Sequence, residues 1–304
     1  MTGSHPAPSP ASIRLPPLVI ACLAATWLIW GSTYLAIRFA LLSFPPYLQM
    51  GSRFLVAGVL LAVWMRFARR APWPDRRQWR NALVIGGLML GGGMGSVAVA
   101  EQTVGSGLVV VFIAAVPLLI VLINLAWRVV PGKLELAGIG VGLAGVLMLT
   151  RGDGFQASPG GVAAMFTACT CWSLGSVLSL RALPLAPGAM GFASEMLCGG
   201  AVLMLFAAIA GETFSGPLEP LALWAWIYLV IFGSLLAFNA YMVLLAKTSA
   251  GLAASYSFVN PVIAMLLGVG FGGETITPFE WSAAGVVLTG VVLLIVRPAR
   301  KSPI

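Results

Sequence analysis

Three kinds of residue in this chain have the chemistry to act on a solute. Charges come first. Arg53 and Glu195 stand inside apolar segments, 142 positions apart. A charge at mid-membrane depth costs ~2.5–3.5 kcal/mol on insertion scales, so such residues mark pathways, relays or structural pairs. Helical rise puts Arg53 about 10 Å from the outer edge of its segment and Glu195 about 12 Å from the inner edge, near enough for either to snorkel. Glu195 is the single carboxylate well inside a segment, and the one histidine, His5, lies in a polar tail. A proton carried through the interior would therefore ride on Glu195, with Glu101 at a segment edge as second carrier; facilitated diffusion stays open beside it.

Rings and amides come next. Trp27, Trp30 and Tyr34 fall at i, i+3 and i+7, one helix face, and Trp172, Ser176 and Ser179 continue the equivalent face of a later segment. Trp30 lies about 20 Å from the cytoplasmic edge and Trp172 a similar distance from the outer one, so the two rings bracket the midplane. They are expected to border a cavity, as a gate or as a stacking surface for a flat solute. A lipid-facing or interfacial role suits Trp73, Trp79, Trp224 and Trp281 better. Tyr256 and Asn260 share a face with Ala253 and Ala264, and Asn239 completes the candidate lining. Such polar residues also act as glue between membrane helices. Pro117 and Pro261 each remove an N–H and strand the carbonyl four residues back, at Ile113 and Ser257, as static kinks or as hinges.

The elements that must position these residues are read from composition. The 304 residues are 60% hydrophobic and 9% charged, with mean hydropathy +0.99. Soluble domains carry about 25% charged residues, so this is an integral membrane protein, and apolar runs near 20 residues mean helices. Breaks at Pro, Gly and charge clusters delimit ten spans: 17–39, 46–67, 81–100, 105–127, 134–150, 159–180, 187–210, 222–245, 250–272 and 279–296. Residues 1–16 and 298–304 read as disordered cytoplasmic tails, residue 17 onward as an uncleaved first span.

The spans are written twice. Trp30 recurs as Trp172, Pro45 as Pro187, Pro117 as Pro261, and Gly145-Val-Leu-Met-Leu as Gly290-Val-Val-Leu-Leu, at offsets of 142 to 145. Repeats over 17–150 and 151–297 follow. Five spans each invert the second copy relative to the first, which places a central cavity between the halves near the midplane. With both termini cytoplasmic, fourteen of the seventeen Lys and Arg fall inside, including the cluster from Arg66 to Arg80. That satisfies the positive-inside rule and accounts for the net charge of +8 without nucleic acid. Gly87, Gly91 and Gly95, Gly138 and Gly142, and Gly268 and Gly272 are spaced for helix contact; Gly91-Gly92-Gly93 is also a flexible point. Cys22, Cys169, Cys171 and Cys198 read as small core residues. No metal-ligand cluster, cofactor motif or filter-like loop argues for an enzyme or a channel.

Ten spans as five plus five, Trp30-Gly-Ser-Thr-Tyr34 in the first, Ser52-Arg53-Phe54-Leu-Val-Ala57 in the second, and the doubled order Pro117 or Pro261, an acidic loop residue (Glu135 or Glu274), then Gly145-Val or Gly290-Val together resemble the drug/metabolite transporter superfamily and its EamA-type exporters. The resemblance implies a cytoplasmic-membrane exporter of small metabolites, most of all amino acids including aromatic or hydrophobic ones, working by alternating access. It implies no cofactor, a small-molecule substrate, protons as a candidate co-substrate and function as a monomer. Some relatives export flat organic cations, so a multidrug exporter is the alternative. The lysine and arginine pairs expected of sugar-phosphate antiporters are missing from the later spans.

Overall fold

The structure, a computed structural model, describes residues 15–104, 109, 112–149, 158–214, 216–272 and 277–295. Among these residues it is all helix, with no β-strand. In chain order the elements are α1 (Pro17–Ala40), α2 (Pro46–Phe67), α3 (Arg76–Gly86), a π-helical segment π1 (Gly87–Met94), α4 (Gly95–Ala100), α5 (Val116–Leu125), α6 (Lys133–Leu149), α7 (Pro159–Arg181), α8 (Ala189–Ile209), α9 (Pro220–Tyr228), a second π segment π2 (Leu229–Ala237), α10 (Phe238–Lys247), α11 (Ala250–Ala253), α12 (Tyr256–Gly272) and α13 (Pro278–Ile295).

Local chemistry sets the helix starts. A proline sits in the first turn of α1, α2, α5, α7 and α9, where its missing N–H has no intrahelical partner to lose. Asp75 and Gln78 close a capping box on α3, and Ser158 caps α7 by accepting from the Gly161 N–H. Among the described residues, six helices are long and apolar enough to cross a membrane: α1, α2, α3–π1–α4, α7, α8 and α9–π2–α10. The outer faces of α2 and α8 leave Val59, Leu60, Val63, Trp64, Leu205 and Ile209 exposed, apolar surface suited to lipid and not to water.

The structure corrects several expectations. The third helix begins at Arg76, five residues before the expected start, because the Asp75 cap holds the basic residues in its first turns. The fourth and ninth spans are not single helices. Turns at Ala114–Ala115 and Ala254–Ser255 interrupt them. Pro117 therefore lies in the first turn of α5 and not in a helix interior, so it strands no carbonyl there. Pro261 falls five residues into α12, and its side chain lies outside the described residues. Glu135 is no loop residue: it occupies the first turn of α6, with a carboxylate oxygen 3.3 Å from the Gly251 N–H. Asp153, Glu274 and most of both tails lie outside the described residues.

Packing brings distant segments together. α2 lies along α8 and α6 along α13. α1 packs on α12 and on the α9–π2–α10 span, while α7 packs on α5 and on π1–α4. Small residues make these approaches possible. A Cβ on Gly290 would lie 2.5 Å from the Gly142 backbone nitrogen, and one on Gly200 would lie 3.0 Å from the Leu55 nitrogen. Of the spaced glycines, Gly91 and Gly95 meet Val202 and Leu203, but Gly87 meets nothing within 4 Å.

Candidate functional site

The largest core cluster closes around a group of rings donated by four separate segments. Trp30 from α1 meets Trp172 from α7 edge to face, with centroids 5.6 Å apart. It also contacts Tyr256 from α12 at 4.7 Å and Tyr241 from α10 at 5.2 Å. Tyr241 touches Trp172 at 5.5 Å and Tyr256 at 5.5 Å. Tilted and edge-on contacts of this kind suit the ring quadrupoles and are worth about 0.5–1.5 kcal/mol each beyond burial.

A small, partly open cavity of about 50 Å³ lies beside these rings. Trp30, Thr33 and Tyr34 of α1, Gly93 and Met94 of π1, Val97 of α4, Val116 of α5, Ala168, Cys169 and Trp172 of α7, and Tyr256 of α12 line it, with Ile113 before α5. The lining is apolar apart from a few hydroxyls, the Cys169 thiol and the indole edges.

The π segments explain how the tryptophans are held. They begin 142 residues apart, at Gly87 and Leu229, the same separation as Trp30 and Trp172. Each faces the tryptophan of a different segment. The Trp30 Nε1 donates to the Gly233 carbonyl of π2 at 3.2 Å. A Cβ on Gly93 of π1 would lie 3.4 Å from the Trp172 ring, so the missing side chain lets that ring lie on the backbone. Segments with the i→i+5 pattern are locally wide, and they recur at functional sites. The run Gly91-Gly92-Gly93, expected to be flexible, is where one occurs.

The two indoles differ in one respect. Trp30 has its acceptor, whereas the buried Trp172 Nε1 faces the Tyr241 and Tyr256 hydroxyls without a well-formed hydrogen bond to either. The Ser176 hydroxyl donates to the Trp172 carbonyl and bridges to the Tyr241 hydroxyl at 3.0 Å. Ser176 thus stands one layer behind the cavity wall and fixes Tyr241.

The other expected site residues fall in different places. Asn260 is fully buried just behind the cavity wall, beside the Tyr34 hydroxyl but in no well-formed hydrogen bond. Asn239 turns back on its own helix, its amide donating to the Leu235 carbonyl at 2.6 Å, which leaves it out of the ring cluster. Glu195 is fully buried in α8, with both carboxylate oxygens lacking a partner. Burying that carboxylate ionised and alone costs far more than burying it protonated. Arg53 is also buried, with Nε and Nη1 unpartnered and its guanidinium 4.5 Å from the Phe54 ring centroid. Trp27 donates from Nε1 to the Ser255 hydroxyl at 3.0 Å, away from the lining. Trp73, Trp224 and Trp281 are exposed, as interfacial residues would be.

Sequence reasoning missed Tyr241, which contacts every other ring of the cluster. Spacing alone did not single it out: Phe238 and Tyr241 are three apart with Asn239 between them, and only the structure shows Phe238 edge-on against Trp172. Gln49 was also missed. It is fully buried, with both amide atoms unpartnered, one turn from Arg53.

Comparison with known proteins agrees with this picture. The chain matches the EamA-like transporter family over residues 17–151 and 159–296. It is 43% identical over 277 residues to the uncharacterized inner membrane transporter YedA of Escherichia coli strain K12, across 91% of this chain and 90% of the relative. Protein PecM of Dickeya dadantii is 26% identical over 273 residues, covering 88% of this chain and 86% of its own. A solved crystal structure superposes with a TM-score of 0.71 at 25% identity, covering 91% of this chain and 95% of the other.

Proposed function

The chain belongs to the EamA-like transporter family, and on that premise we propose that it exports amino acids, including aromatic or hydrophobic ones, and related small metabolites by alternating access. The observation that carries this reading is the small cavity walled by Trp30, Tyr34, Trp172 and Tyr256. Flat rings gain most from edge-on and offset contacts with other rings, and the Trp172 N–H, in no well-formed hydrogen bond with the nearby tyrosine hydroxyls, offers one donor to a polar group of the solute. The printed name of the YedA relative supports the inner membrane as the location.

Alternating access requires two bodies that move about the site. In this reading they are two inverted five-helix halves with both termini cytoplasmic, acting as a monomer. The pairings support it: α1 on the α9–π2–α10 span is matched by α7 on the α3–π1–α4 span, and α1 on α12 by α7 on α5. The π segments then act as the yielding turns, since a π turn can give up its extra residue to a neighbouring α turn. Pro117 and Pro261, beside the broken spans, are further hinge points. Glu195 carries the coupling proton, because its unpartnered carboxyl can gain and lose one as water reaches it.

A second reading, export of flat organic cations, is favoured by the same rings, whose faces attract cations. One experiment separates the readings. Purified protein in liposomes is loaded with phenylalanine, leucine or a planar quaternary cation, and counterflow is followed with and without a pH gradient. Phenylalanine counterflow is expected, reduced at least tenfold by Trp30→Ala, Trp172→Ala or Tyr241→Ala at equal protein level. Glu195→Gln is expected to remove gradient-driven accumulation and spare counterflow. Transport of the cation alone would overturn the amino-acid reading, and full gradient response in Glu195→Gln would overturn the proton role.

A further inference from the structure

Above the ring cavity, toward the end of the bundle where α1 stops and α2 begins, lies a group of polar atoms that the ring site does not use. Gln49 and Arg53 sit one turn apart on α2, 0% and 2% exposed. Glu101 follows the last residue of α4, its carboxylate oxygens closed off from solvent. Both amide atoms of Gln49, Nε and Nη1 of Arg53 and both oxygens of Glu101 have no hydrogen-bond partner. Few buried side-chain polar groups go unsatisfied in folded proteins. Six orphaned atoms on three neighbouring residues need a reason.

Two helix faces connect this group to the cavity. Met94, Val97 and Glu101 fall at i, i+3 and i+7, and the first two line the cavity. On α1, Tyr34 lines the cavity and Arg38 lies one turn further along. α2 packs against α4, and side chains on a helix tilt toward its N-terminus. Arg53 therefore projects toward the end of the bundle at which Glu101 stands. The two act on each other electrostatically, and the Tyr34 hydroxyl feels the Glu101 carboxylate as well. Yet no Arg53–Glu101 ion pair closes among the described residues. The two side chains stay unpaired beyond the ring-lined cavity, on the side of it toward which the faces carrying Tyr34 and Val97 continue.

We propose that Arg53 and Glu101 form a two-point clasp for the head of a zwitterionic solute, Arg53 taking a carboxylate and Glu101 an ammonium group, while the solute's apolar part lies among the rings. Gln49, with a donor and an acceptor both free, adds a neutral contact between them. This satisfies the orphaned atoms with one ligand, and it demands both signs of charge on that ligand at short separation. An α-amino acid has that pattern. The clasp rests on the amino-acid reading above and goes beyond it by assigning the charges. Arg53 is then a recognition residue and neither a structural charge nor part of the proton path.

The test compares four ligands of one shape on the intact protein in liposomes: phenylalanine, phenylalanine amide, 3-phenylpropionate and phenethylamine. Competition against phenylalanine counterflow is expected to weaken about tenfold or more for each analogue that lacks one charge, since each leaves a charge-assisted hydrogen bond unmade. Arg53→Gln should erase the difference between phenylalanine and its amide. Glu101→Gln should erase the difference between phenylalanine and 3-phenylpropionate. Analogues competing as well as phenylalanine on the unaltered protein would overturn the clasp and leave the amino-acid reading standing; no transport of phenylalanine at all would overturn that reading instead. Variants that lose all four ligands in proportion would assign Arg53 and Glu101 a structural role. The ligand series on the unaltered protein decides the matter even if a variant fails to fold.

Discussion

The hydrogen bond from Trp30 Nε1 to the Gly233 carbonyl fastens a ring of the cavity wall to π2. If that bond belongs to the closed arrangement, removing it alone should open the cavity more often. Trp30→Phe is the cleanest perturbation, since it keeps a ring against Trp172, Tyr241 and Tyr256 and deletes the donor. A neutral hydrogen bond is worth about 0.5–1.5 kcal/mol net, and leaving the buried carbonyl unpaired raises the cost toward 1–3 kcal/mol. A shift of about 1–2 kcal/mol changes an equilibrium roughly 5- to 30-fold. The protein supplies its own reporter. Cys169 lines the cavity and is 4% exposed, its thiol donating to the Phe112 carbonyl at 3.2 Å. With Cys22, Cys171 and Cys198 changed to Ala, Cys169 is the sole thiol. Its alkylation rate by N-ethylmaleimide then measures how often the cavity opens. Trp30→Phe should raise that rate by the same 5- to 30-fold. Trp27→Phe, which loses only the contact to Ser255, should leave it near the starting value. An unchanged rate in a folded Trp30→Phe protein would refute the reasoning, because the bond would then be equally present in open and closed arrangements.

Three further outcomes are expected. Gly290→Val should lower the melting temperature in detergent, because its Cβ would meet the Gly142 backbone at 2.5 Å and overpacking costs about 1–3 kcal/mol; Gly285→Ala, with nothing within 4 Å, should not. Glu212 accepts from the Tyr47 and Leu48 N–H groups at 3.2 and 2.8 Å, capping α2 from a distant loop. Glu212→Ala should therefore cost about 0.5–2 kcal/mol of stability by thermal denaturation, with no change if solvent caps the helix equally well. The last concerns pH. Burial pushes the Glu101 carboxyl well above its ordinary range, and the Arg53 and Arg38 charges offset part of that. The free carboxyl thus keeps its proton to higher pH than an ordinary glutamate, while an ammonium ligand binds the ionised form. Affinity for phenylalanine should rise with pH up to the raised value and level off above it, with a proton released on binding within that window. Isothermal titration in buffers of different ionisation heat measures both, and Glu101→Gln should flatten the profile.

Much of the fold was legible because lipid leaves few choices. A chain with 9% charge must place its backbone in helices wherever it crosses a bilayer, so the long apolar runs marked most helices to within a few residues. The larger errors fell where turns needed no polar signal. Ala114–Ala115 and Ala254–Ser255 break their spans without a charge or a glycine. Spacing put Trp30 and Tyr34 on one helix face, and both line the cavity, whereas Ser176, on the face of Trp172, stands behind its wall. Asn239 shows the limit of that logic. Its amide satisfies itself on the Leu235 carbonyl, and nothing in the spacing distinguishes such a residue from one that lines a cavity.

The sequence by itself determined the apolar segments and the 142-residue offset that relates Trp30 to Trp172. Only the tertiary structure decided which faces turn toward one another. On helices that are apolar all round, periodicity does not reveal the buried side, so Tyr241 looked no different from its lipid-facing neighbours. Tertiary packing also decided that Gly91-Gly92-Gly93 and Gly233 lie in π turns, each against a tryptophan from another part of the chain. The same packing isolates Gln49, Arg53 and Glu101 together without partners. Each of these depends on the rotation of one helix against the next, a quantity that spacing along a single helix does not contain.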